Sequence, residues 1–176
     1  TAYQPDLTRG YSNTFSAKLN YKDVFKMMFA GAGVYYSLGR PKVLYGYNYD
    51  GIYAEAVGMR TDELSHSVRA EVDFSKGFHW ANTTVKAETD VIVSEHPYLA
   101  QDRITRTRSN VIQLGVYLTM EPWKWMNLSY SGEVMRSQSL QTDGESFPVL
   151  YTGRNDLNLR FRLPYHFSVG TVVDNY

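Results

Sequence analysis

"VIQLGVYLTMEPWKWMNLSYSGEV", residues 111–134, reads as two strands folded about a tight turn. Ile112, Leu114, Val116, Leu118 and Met120 fall on one side of the first limb. In the second limb Met126, Leu128, Tyr130, Gly132 and Val134 oppose Asn127, Ser129, Ser131 and Glu133. Successive side chains of a strand point to opposite faces, so a repeat of two gives one apolar and one polar surface. Glu121-Pro122-Trp123-Lys124 breaks the repeat and supplies the turn.

The same repeat runs outward in both directions. Phe15, Ala17, Leu19 and Tyr21 alternate with Thr14, Ser16, Lys18 and Asn20. Leu64, His66, Val68, Ala70, Val72 and Phe74 oppose Ser65, Ser67, Arg69, Glu71, Asp73 and Ser75. Residues 81–93 alternate with Lys86, Glu88 and Asp90 on the polar side; Leu157, Leu159, Phe161 and Leu163 oppose Asn158, Arg160 and Arg162. Eight strands are predicted, at about 11–21, 25–38, 60–76, 79–95, 105–121, 124–140, 151–163 and 166–176. Most exceed the five or six residues usual in a globular sheet, and a tilted strand needs about 9–11 to cross a bilayer. The expected fold is all-β: an antiparallel up-and-down transmembrane β-barrel region occupying residues 1–176, with no plug domain in it.

Connections and aromatics agree with that expectation. Tight turns are predicted at Lys22-Asp23-Val24, Lys76-Gly77-Phe78-His79, Glu121-Pro122-Trp123-Lys124 and Pro164-Tyr165-His166. Long connections are predicted at 39–59, 96–104 and 141–150, and the two kinds alternate as periplasmic turns and extracellular loops do. Tyr21, Phe25, Phe74, Phe78, Trp80, Trp123, Trp125, Tyr165 and Phe167 crowd the tight turns, where a ring of aromatics would meet headgroups. With tight turns after the first, third, fifth and seventh strands, both ends of the strand run lie on the loop side. Complete barrels ordinarily end on the other side, so a piece of a larger barrel, about 14 to 22 strands when whole, is expected. The chain opens at Thr1 with no Met and no leader visible, which reads as a processed protein or an excised fragment.

Composition excludes several functions. The 18 Lys+Arg balance 18 Asp+Glu, which gives no basic surplus for nucleic acid. There is no Cys, hence no disulfide, thiolate metal site or Cys nucleophile. His66, His79, His96 and His166 are scattered, and no phosphate-binding Gly-Lys-Ser loop, His-Glu-x-x-His helix or Gly-x-Ser-x-Gly elbow occurs. Neither enzymatic activity nor a cofactor or metal is expected. Glu71 with Asp73 and Glu88 with Asp90 are spaced for one strand face, where Arg69 and Lys86 make ion pairing the expected role. For ligand binding the candidates are Tyr45, Tyr47, Tyr49 and Tyr53 in the long connection "VLYGYNYDGIY", because exposed tyrosines offer ring faces and hydroxyls to sugars, peptides or proteins.

The hairpins "NTFSAKLNYKDVFKMMFAGAGVYYSL", "VIQLGVYLTMEPWKWMNLSYSGEV" and "LNLRFRLPYHFSVGTVV" resemble the barrel portion of a TonB-dependent receptor, or a related Bacteroidetes-type outer-membrane barrel. The resemblance implies nutrient transport across the bacterial outer membrane. It implies as partners the membrane lipid, the remaining strands of the barrel, a plug domain and TonB. Two other readings stand beside it: a non-transporting anchor or adhesion barrel, and a soluble lipocalin-like barrel around an apolar ligand.

Overall fold

The computed structural model describes residues 10–141, 147–162 and 167–175. The architecture is all-β, with ten strands: β1 Tyr11–Asp23, β2 Met28–Arg40, β3 Val43–Asp50, β4 Tyr53–Arg60, β5 Ser65–Phe78, β6 Thr83–Ala100, β7 Arg103–Trp123, β8 Met126–Gln141, β9 Leu150–Arg162 and β10 Ser168–Asn175. Eight of them form one up-and-down path, β1-β2-β5-β6-β7-β8-β9-β10, each antiparallel to its neighbours. β1 and β10 are the edges and do not pair with each other, so the sheet is open among the described residues. An even path makes these two edges run in opposite directions.

Register carries the alternation unbroken across the sheet. The rows Leu19–Ala32–Val72–Thr89–Leu114–Val134 and Ala17–Val34–Ala70–Val91–Ile112 share one surface. Lys18–Gly33–Glu71–Asp90–Gln113 shares the other. A slip of one residue would exchange the faces, so the repeat of two is what locks every pair.

Three expectations are corrected. First, the connection 39–59 is a hairpin, β3–β4, joined at Gly51-Ile52 with Gly51 at φ 60°, and the strand expected at 60–76 starts only at Ser65. Second, the connection 96–104 shrinks to Gln101-Asp102, both left-handed at φ 50° and 57°, because β6 and β7 continue pairing up to Ala100↔Arg103. Tight and long connections therefore do not alternate strictly. Pro97 is admitted to β6 past Glu95, the last residue paired with β5, where a missing N–H is tolerated. Third, the turn after β5 falls three residues later than expected, at 79–82, because Phe78 still pairs with Thr83; a short 3₁₀ turn, Trp80–Asn82, precedes β6. The turn after β1 spans residues 24–27, closed by Met27 N–H to the Val24 carbonyl at 3.1 Å and Lys26 N–H to Asp23 Oδ1 at 3.0 Å. Near Pro122 the β7–β8 register shifts between Met120 and Trp123, a bulge that absorbs the proline. The turn expected at 164–166 lies outside the described residues, as do residues 142–146 of the connection expected at 141–150.

Candidate functional site

The tyrosine segment is a paired hairpin rather than an unpaired loop. In β3, Tyr45, Tyr47 and Tyr49 point one way and Leu44, Gly46 and Asn48 the other; the tyrosines are exposed and Leu44 is buried. Opposite the tyrosines on β4 stand Gly58, Ala56 and Ala54, so a row of rings runs beside a row of small residues. The Tyr47 and Tyr49 rings lie 6.4 Å apart. Tyr53 does not join them: it pairs with Asp50 on the reverse face.

The reverse face docks on the end of β6. Gly46 and Tyr47 pair in parallel with Leu99 and Ala100, and a β-carbon on Gly46 would collide with the Leu99 carbonyl oxygen. Asp102 N–H donates to Asn48 Oδ1 at 3.0 Å, and Gln101 Nε2 to the Tyr49 carbonyl at 3.3 Å. At the base of the hairpin Thr61 N–H bonds the Lys42 carbonyl at 3.0 Å. Asp62 Oδ1 takes Arg40 at 2.7 Å and Lys42 at 2.9 Å, and the Lys42 hydrogen bond, aided by the Arg40 charge, holds its carboxyl below the usual aspartate value. Arg106 ties Glu63 to Glu95.

The polar face of the sheet is a second assembly. Arg69 makes a two-pronged bond to Asp90, at 2.7 and 2.6 Å, and reaches Glu71 at 3.3 Å; Lys86 meets Glu88 at 2.5 Å. These are the ion pairs expected of the interleaved charges. Residues 69, 71, 73, 86, 88, 90 and 113 line a depression of about 400 Å³.

One device in that assembly was not foreseen. "Gly-Val-Tyr" occurs at 33–35 and again at 115–117. In each copy the ring reaches back over the glycine: an added β-carbon would lie 3.2 Å from the Tyr35 ring at Gly33 and 3.0 Å from the Tyr117 ring at Gly115. Each hydroxyl then meets a glutamate opposite the glycine. Tyr35 Oη donates to Glu71 at 2.5 Å, and Tyr117 Oη lies 2.6 Å from Glu88 and 2.8 Å from Glu133. Each ring also faces a cation, Lys18 at 5.1 Å from Tyr35 and Lys86 at 5.3 Å from Tyr117. The repeated tripeptide was the available signal.

At the tight-turn end of the sheet Trp123 and Trp125 stack at 5.1 Å, and Trp125 stacks on Phe161 at 6.1 Å. Among the described residues no three His, Asp or Glu side chains are grouped to hold a metal ion. His66 Nε2 faces Glu95 at 3.6 Å. No protein-family model, no curated protein and no solved structure matches this chain.

Proposed function

We propose that this chain is a membrane-spanning section of an outer-membrane β-barrel, forming part of the wall of a TonB-dependent nutrient transporter. The observation that carries the reading is an inverted pattern of burial. Leu19 is 73% exposed and Leu114 51%, whereas the side chains of Glu71 and Asp90, on the polar face, are only 29% and 27% exposed. The carboxylates on the polar surface are sheltered beneath their cations, Lys18 at 56% and Arg69 at 47%, while apolar side chains such as Leu19 and Leu114 stand bare. Water does not tolerate so large an apolar patch on a monomer, but hydrocarbon does. A soluble lipocalin-like barrel needs the opposite, with apolar residues enclosed.

The height of the bare surface supports the same reading. On β7 it runs from Ile112 to Met120 and on β6 from Val85 to Val93, nine residues each, which suits a tilted strand in a bilayer. The stacked tryptophans mark one boundary of this band. In the closed barrel the ion-paired face would line a wet or plugged lumen, with charges of both signs along the solute path. The docked tyrosine hairpin favours a second reading, a surface-anchoring or adhesion barrel in which recognition by the hairpin is the whole function.

Reconstitution tests the membrane reading. The chain should fold only with detergent or lipid and become protease-resistant in vesicles. Folding as a water-soluble monomer would exclude it. In the intact protein, loss of solute uptake on replacing Lys86 and Arg69 with Gln, with the barrel still inserted, would favour transport over adhesion.

A further inference from the structure

At the edge of the apolar band and beyond it, on the side away from the tight turns, the bare surface gathers arginines, with Glu95 as the strand carboxylate among them: Arg136 stands level with Ile112 and Arg108 farther out, level with Leu140. Along β7 the residues on this surface pass from Ile112 through Asn110 to Arg108 and Arg106; along β8 they pass from Val134 to Arg136; along β2 from Leu38 to Arg40. Some of these charges are used internally, since Arg40 serves Asp62 and Arg106 serves Glu63 and Glu95. Among the described residues two others are not committed to a carboxylate. Arg108 is exposed and stands directly opposite Glu95 in the β6–β7 register, but Glu95 is engaged by Arg106 and His66. Arg136 donates to Gln138 Oε1 at 3.3 Å and forms no ion pair among the described residues.

The two ends of the band therefore differ in chemistry. One end carries stacked indoles, which suit the general apolar–polar boundary. The other carries guanidinium groups on the same surface as the lipid-facing leucines. A planar guanidinium matches phosphate oxygens two at a time, and a basic group at the membrane surface gains from anionic lipid.

We propose that Arg108 and Arg136 seat the phosphorylated headgroups of lipids in the leaflet on the side away from the tight turns. The assignment rests on the membrane-spanning reading of the strands, and it gives that reading a direction: this rim faces an anionic leaflet. The occupant is a lipid, whose acyl chains lie along Ile112, Leu114 and Val134, rather than free phosphate, which would have no use for the apolar band.

The test is co-retention of lipid by the full chain, inserted into phosphatidylcholine vesicles with or without phosphatidylglycerol and released for native mass spectrometry. The unaltered chain should retain phosphatidylglycerol preferentially and lose the preference at high salt. R108Q/R136Q should weaken it by about 20- to 30-fold, from roughly five-fold per arginine. R108K/R136K should keep most of it, and K124Q, in the turn at the opposite end, should leave it unchanged. Circular dichroism confirms that each variant is folded. Insertion without an anion preference in the unaltered chain, or a preference untouched by R108Q/R136Q, overturns the headgroup site and leaves the membrane reading standing. Failure to insert into either vesicle overturns both.

Discussion

The carbonyl oxygen of Leu99 occupies the space into which a side chain at Gly46 would project. Glycine at 46 is thus the condition for β3 to lie against the end of β6. Gly46→Ala should detach the hairpin at a cost of about 1–3 kcal/mol, as overpacking does elsewhere. Limited proteolysis should then cut within residues 43–60 while the eight-strand path stays protected; unchanged resistance there would contradict the docking.

Leu114 and Leu159 lie on the bare surface and Gln113 on the polar one. Leu114→Arg or Leu159→Arg should destabilise vesicle-inserted protein by about 2–4 kcal/mol, the cost of arginine near the bilayer midplane. Gln113→Arg should cost much less. Urea titration in lipid measures all three, and equal tolerance would argue for a water-soluble fold.

Tyr117 places one hydroxyl proton between Glu88 and Glu133, which flank Gly115 from either side. Tyr117→Phe keeps the ring over Gly115 but leaves two carboxylates facing each other without their shared donor, and should cost about 1–3 kcal/mol. Adding Glu133→Gln should recover part of the loss. A double-mutant cycle that sums without coupling would show that the three groups do not act together.

Asp62 ties the base of the hairpin to Arg40 and Lys42, and its carboxyl titrates below the ordinary 3.8. A depressed folded-state value contributes stability that is present above the unfolded value and lost as pH falls through the folded one. Hydrogen exchange in β3–β4 should therefore quicken as pH drops below 3.8, after correction for the intrinsic rate. Asp62→Asn should remove that dependence; if the variant keeps it, another group is responsible.

The edges β1 and β10 each present an unpaired row of backbone groups. In hydrocarbon each such group costs several kcal/mol, so the 176-residue chain in detergent should associate through these edges. Light scattering should show oligomers. A monomer in which cysteines placed at Leu19 and Val173, which share the apolar surface, form a disulfide would mean instead that the sheet closes on itself.

Most of the sheet was legible because a repeat of two leaves no freedom about which face is which. Leu114 and Val134 could be put on one surface from the alternation, and they pair there directly. Strand ends were less legible. Gln101 and Asp102 turn the chain without Gly or Pro, so nothing local announced that β6 and β7 continue past position 96. The β3–β4 hairpin did have a signal, the Asp50-Gly51 dipeptide between alternating residues, outweighed by the length of the segment treated as one loop. Tyr45, Tyr47 and Tyr49 were placed together by parity, whereas Tyr53 falls beyond a two-residue turn, where parity depends on the register of the return strand. Partners such as Glu63 for Arg106, 43 positions apart, depend on how the hairpin folds back, which no local pattern encodes.

Leu44 and Leu99 are the buried leucines among the described residues, and both belong to the hairpin dock. Among the described residues the main sheet has no leucine, isoleucine, valine or aromatic side chain buried away from the hairpin dock. On the proposed membrane-spanning reading, ordered strands and an apolar environment must therefore arrive together, and the unfolded chain gains little by waiting in water. On that same reading, such a chain would be a client for a holding chaperone in any aqueous compartment it crosses, and its rate of maturation would be set by delivery rather than by an intrinsic folding barrier.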